Sequence, residues 1–217
     1  YVEVPVFWRV PLPGTPVDIA AGKNGTFFVA AEPKGLFIYD VEGNQLKQFS
    51  TPEHAKLTSV TADTAGNAVI TDIGFQWFVV LSPELGIDIK SGGLDSYFDA
   101  AVNPLDGNLY LRTTSSIDVF TLDTAELVRK IPLDEVHSLG RLTFNAQGQL
   151  FALRGYDWDA TLVELDPLTL EELDATPLER TDQVEIVARD LAIDANGNFY
   201  VLFQSNAGQI VVHMLDS

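Results

Sequence analysis

Short apolar runs alternate with small polar turns along this chain, and one such unit returns at a fixed interval. An apolar stretch, a polar turn and a glycine occur at residues 17–21 up to Gly25, 59–62 up to Gly66 and 99–102 up to Gly107. The unit returns at 141–144 up to Gly148 and at 190–193 up to Gly197, so three steps of 41 residues and one of 49 separate the five glycines. After each glycine comes a run rich in β-branched and aromatic residues, at about 26–30, 68–71, 109–112, 149–153 and 199–203. A loop and another run follow, as at 36–39 or 161–165. A second turn at 41–44 or 123–126 then leads to a fourth run at 46–49 or 127–131.

Four short strands in about 41 residues make one blade of a β-propeller, because radial repetition leaves only short, protected sheet edges. The spacing predicts an all-β, five-bladed β-propeller of four-stranded antiparallel blades. It forms a single domain over 1–217, with blades near 15–51, 57–92, 97–133, 139–177 and 188–216. The fifth repeat stops after a third strand at about 209–214, while residues 2–10 are strand-like and unassigned. The expectation is therefore that 1–12 supply the outer strand of the last blade and close the ring.

Residues 190–201 (DLAIDANGNFYV) and 36–44 (LFIYDVEGN) resemble the NHL-type propeller repeat, and 117–124 (IDVFTLDT) is similar to the related YncE-like repeats. The resemblance covers nearly the whole chain. It implies architecture rather than activity. Related propeller lactonases carry acidic and amide metal ligands just ahead of the inner strand. Here those positions hold Val17, Thr58 and Arg189, which argues against carrying over that metal site.

Composition removes several function classes. Thirteen Lys and Arg against 31 Asp and Glu give a formal charge of −18, which repels nucleic acid and anionic headgroups. The longest apolar run, 77–81, is far short of the roughly 18 residues of a membrane helix. With no Cys there is neither a disulfide nor a thiolate nucleophile. The sequence starts at Tyr1 rather than Met, as expected of a processed or excised chain, and an export signal in the missing part would give an extracellular or cell-envelope location. The acidic surface also suits a saline environment.

Candidate chemistry lies in the loops at one end of the blades. The residues that open the inner strands are Asp18, Ser59, Asp99, Arg141 and Asp190. At the mouth of a central channel they would bind a polyhydroxy ligand or a cation, Ca²⁺ being suited to Asp oxygens. Alternatively, Arg141 pairs with the neighbouring carboxylates and closes the channel structurally. His54 and His137 occupy equivalent connecting loops, but a third His in strand 209–214 argues against a zinc site. Trp77, Tyr156 and Trp158, with Phe75 and Tyr97, are candidates for stacking on a sugar or cation, or for packing between blades. The surplus residues of the long last step fall at 177–187, a candidate lid, and Asn24-Gly25-Thr26 is a glycosylation sequon.

No nucleophile motif, phosphate loop, dinucleotide fingerprint or zinc spacing occurs. The reading is a non-catalytic binding or assembly module that engages a protein partner or a small polar ligand, needs no cofactor, and belongs to a larger assembly. The alternative is a hydrolase or lyase acting on a sugar or lactone at the mouth, with Asp18, Asp99 and Asp190 as acid and base. Against that alternative, Arg141 is expected to hold all three acids ionised.

Overall fold

The structure, a computed structural model, describes residues 10–82, 86–88, 95–133, 139–155, 160–178, 186–205 and 210–215. It consists of five small antiparallel sheets, each a meander in chain order. Two compact units divide the chain, residues 1–98 and 99–217.

The first unit holds two four-stranded blades. Blade 1 is β1 (Thr15–Ala21), β2 (Phe27–Glu32), β3 (Gly35–Tyr39) and β4 (Gln45–Phe49), with one 3-10 turn at Lys23–Gly25. Blade 2 is β5 (Leu57–Ala62), β6 (Ala68–Asp72), β7 (Trp77–Ser82) and β8 (Gly86–Asp88). The second unit holds three blades. Blade 3 is β9 (Asp99–Val102), β10 (Asn108–Arg112), β11 (Ser116–Thr121) and β12 (Leu127–Pro132). Blade 4 is β13 (Leu139–Phe144), β14 (Leu150–Arg154), β15 (Thr161–Leu165) and β16 (Glu172–Pro177). Blade 5 shows three strands, β17 (Ile186–Ile193), β18 (Phe199–Ser205) and β19 (Ile210–Leu215).

The five predicted glycine turns join the first and second strands of their blades, and every one of those glycines has positive φ, from 70° at Gly107 to 97° at Gly66. The turns are built by their acids and amides. Asp63 accepts the Asn67 backbone N–H on Oδ1 and its side-chain amide on Oδ2, both at 2.7 Å. Asp194 does the same with Asn198, at 3.0 and 2.9 Å. Each carboxylate thus closes an Asx-type turn and the glycine supplies the left-handed residue it needs.

Middle strands are buried on both faces, so they read as continuous apolar runs. In blade 1, Phe28, Ala30, Leu36 and Ile38 pack with Leu57, Val60, Ala68 and Ile70 of blade 2. The alternate residues Val29, Ala31, Phe37 and Tyr39 form a second core on the opposite face. In the second unit, Tyr110, Ile117 and Val119 of blade 3 meet Leu142, Leu150 and Val163 of blade 4. Leu153 and Leu162 of blade 4 meet Leu191, Val201 and Phe203 of blade 5. Outer strands are mostly exposed, as expected at the rim.

The expected pairing of residues 2–10 with the last blade lies outside the described residues but for Val10, which packs with Leu12 against the core of Val29, Ala31, Phe37 and Tyr39. Among the described residues, β19 is the outermost strand of its sheet, and Ile210, Val212 and Met214 stand exposed along one of its faces. No helix among the described residues is long and apolar enough to cross a membrane.

Candidate functional site

Four of the five inner strands slip register at their opening, between Pro16 and Asp18, Leu57 and Ser59, Leu139 and Leu142, and Ala188 and Asp190. A bulge re-aims the residue that follows it. In the first unit this turns Asp18 toward blade 2. Its Oδ1 accepts the Ile19 N–H at 2.9 Å, and its Oδ2 accepts the Val60 N–H on β5 at 2.8 Å. Ser59 is fully buried, with its hydroxyl 3.3 Å from that of Thr71. Thr58 extends this polar seam, 2.8 Å from the Thr71 hydroxyl and donating to the Tyr97 carbonyl at 2.7 Å.

The second unit repeats the latch one blade pair further on. Asp99 opens β9, and its Oδ2 accepts the Leu142 N–H on β13 at 2.5 Å. Its Oδ1 takes the Arg141 guanidinium at 2.8 Å, and Arg141 Nε lies 3.5 Å from Asp190 Oδ1. The Asp99 side chain is 4% exposed, that of Arg141 20% and that of Asp190 39%. Arg141 therefore bridges two of the three predicted acids, and the interior one is almost wholly enclosed.

Burial pushes the Asp190 carboxyl above the ordinary Asp value. Arg141 and the Leu191 N–H pull it down, and the Asp99 charge pushes it up again. Arg141 therefore does not bring the Asp190 carboxyl down to its ordinary value, because desolvation outweighs the one cation.

The remaining candidates separate. Trp77 opens β7, half-buried and packed against the core between blades 1 and 2. Tyr97 is buried, edge-on to Phe78 at 6.0 Å, so its ring is core rather than a stacking platform. Phe75 is exposed, and its N–H donates to Asp72 at 2.5 Å. His54 is exposed in its loop with φ 124°. His137, Tyr156, Trp158 and most of the 177–187 link lie outside the described residues. Among the described residues, no three His, Cys, Asp or Glu side chains are grouped to hold a metal ion.

One feature of the second unit escaped the sequence. A groove of about 680 Å³ runs between blades 4 and 5 at the glycine-turn end, with Gln149, Glu164 and Asp174 contributed by blade 4 and Phe199 and Met214 by blade 5. Glu164 and Asp174 face each other across β15 and β16, a pairing visible only once the register is known.

No protein-family model and no curated protein matches the chain. Solved structures do. A streptogramin B lyase structure is 14% identical with a TM-score of 0.66, over 96% of this chain and 72% of that one. The β-propeller domain of Cps50 (Swd1) from Myceliophteria thermophila is 13% identical with a TM-score of 0.67, over 98% of this chain and 74% of that one. A protein of unknown function from Bacteroides caccae is 15% identical with a TM-score of 0.63, over 97% and 84%. The fold is a five-bladed β-propeller. The structures similar to this chain include a lyase and a protein of unknown function, so the likeness carries architecture alone.

Proposed function

We propose that the chain is a non-catalytic binding or assembly module built on NHL-type or YncE-like propeller repeats, exported from the cell or held in its envelope. The observation that carries this reading is how the predicted acids are used. Asp18 and Asp99 each accept a backbone N–H from the neighbouring blade, and Asp99 also holds Arg141. A carboxylate engaged in this way joins blades and is not poised to move a proton for a substrate. The outer strands and loops remain as contact surface, in keeping with a strongly acidic chain that recruits a basic or polar partner.

The test is recovery of the chain from its native source by size-exclusion chromatography with light scattering. A defined copy number in a larger complex is expected, and a free monomer that turns over a substrate would overturn the reading.

A lyase or hydrolase reading has one specific observation in its favour, the raised Asp190 carboxyl beside a guanidinium, where a general acid would sit. Structural neighbours include a virginiamycin B lyase from Staphylococcus aureus whose inactive variant was captured with quinupristin. Incubation with quinupristin distinguishes the two readings. The module leaves it intact, and conversion of quinupristin that is abolished by Asp190→Asn would install the enzymatic reading.

A further inference from the structure

We propose that the groove between blades 4 and 5 docks a basic polypeptide segment of a partner protein, with Lys or Arg heads held between Glu164 and Asp174. This rests on the binding-module reading and names its partner's chemistry. The groove wall is unusual in its charge. Glu164 and Asp174 are cross-strand partners on β15 and β16, and like charges placed directly opposite destabilise a sheet. Glu164 is oriented by a relay of amides, since Gln149 Nε2 donates to its Oε1 at 2.8 Å and Asn145 Nδ2 donates to Gln149 Oε1 at 2.6 Å. That relay fixes the carboxylate without neutralising it. Among the described residues, no Lys or Arg lines the groove.

The floor supplies what the stem of a basic side chain needs. Phe151 and Phe199 meet edge to face at 4.8 Å, with Leu162 and Met214 beside them. Methylenes lie on such a surface while the charged head reaches the carboxylates, and a guanidinium gains further from an aromatic ring. A volume of about 680 Å³ exceeds one side chain and takes several residues of an extended segment. The formal charge of −18 steers such a segment toward the protein at long range, and the groove then selects where it settles.

The test uses a fluorescein-labelled peptide of alternating Arg and Gly, titrated with the full chain by fluorescence anisotropy near physiological ionic strength, where the screening length is about 8 Å. The double variant Glu164→Gln/Asp174→Asn is expected to weaken binding about tenfold, equivalent to about 1.4 kcal/mol. The control Glu42→Gln/Glu126→Gln removes the same charge from exposed positions in other blades and is expected to change it less than about twofold. The isosteric Glu164→Gln alone, which keeps an acceptor for Gln149, is expected to cost about threefold and serves if the double variant does not fold. Equal losses in site and control variants, or no binding by the wild-type chain, would overturn the groove assignment while leaving the module reading in place. Substrate turnover by the wild-type chain would instead remove the module reading while the peptide titration stood.

Discussion

Replacing Arg141 by Ala separates a structural latch from a cation site. In the intact protein Arg141 holds Asp99 at 2.8 Å and lies 3.5 Å from Asp190. Removing one partner of a buried pair costs about 3–5 kcal/mol, because the other charge is left behind. Asp99 is enclosed and keeps the Leu142 N–H, while the Asp190 half is over a third exposed and is discounted for solvent screening. The expected loss is therefore about 2–3 kcal/mol, read as a fall in the urea midpoint at unchanged slope. For a chain of this length it corresponds to about 5–10 °C in Tm.

The pH dependence gives the argument a sign. Asp190 has a folded-state pKa above its unfolded value, so its contribution to stability is fully present below the unfolded pKa and is lost as pH rises through the folded one. Arg141 opposes that upward shift, so Arg141→Ala raises the carboxyl further. The penalty of the substitution should be largest near neutral pH and shrink as pH falls and Asp190 takes up a proton, which its raised carboxyl does at a higher pH than an ordinary Asp. Calcium calorimetry completes the experiment. A latch predicts no binding to either protein, whereas a cation site would tighten when the guanidinium is removed. A penalty below about 0.5 kcal/mol, a penalty independent of pH, or calcium affinity that rises in the variant would refute the latch.

Three further outcomes follow from the repeat. Gly148→Ala should cost about 2 kcal/mol or more by thermal melting, since φ is 76° and a Cβ would sit 2.6 Å from Leu105 Cδ1 in the neighbouring blade's turn. Asp194→Ala should remove an acid-labile contribution: Asn198 and neighbouring amides hold the Asp194 carboxyl below its usual range, so its stabilisation is present above the unfolded pKa and lost as pH falls through the folded one. The difference between wild type and variant, followed by circular dichroism, should accordingly vanish in acid. Deleting residues 1–9 should lower stability by several kcal/mol or cause aggregation if, as the sequence leads one to expect, they supply the missing fourth strand beside β19. An unchanged melting temperature would remove that closure.

The five blades were legible because each glycine answers a backbone requirement that recurs with the repeat. The left-handed residue after Asp63 or Asp194 must be a glycine or nearly so, and the apolar runs between turns alternate toward two blade faces at once. The residues opening the inner strands were legible as positions. What the sequence could not tell is what their side chains do, because local strand geometry, a bulge in the case of Asp18, decides whether Asp18 or Asp99 points at solvent or at the next blade's backbone. Tyr97 shows the same limit from the apolar side: a ring in a polar connecting segment is drawn into the core by Phe78. The Asp190 shift was hidden because it depends on how far burial outweighs one cation, a three-dimensional quantity.

The distribution of cations explains why the groove between blades 4 and 5 is left acidic. The chain has 13 Lys and Arg for 31 acids, so each structural use of a cation leaves fewer for neutralisation elsewhere. In the second unit those uses are specific. Arg129 reaches over the Tyr110 ring, donates to its hydroxyl at 2.8 Å and to the Pro167 carbonyl at 3.1 Å, and so ties blade 3 to blade 4. Lys130 meets the buried Asp118 at 3.2 Å, Arg141 bridges Asp99 and Asp190, and Arg154 pairs with Glu172 on β16. Glu172 pairs with Leu165 and Asp174 with Glu164, adjacent positions of β15 that take opposite faces of the blade, so the cation on Glu172 does not serve the groove face. Drawing a cation from one of these seams to neutralise the groove would cost that seam its partner. A basic residue carried in by another polypeptide achieves it without that loss, and this is why a groove built against its own charge balance is better read as half of an interface than as a packing defect.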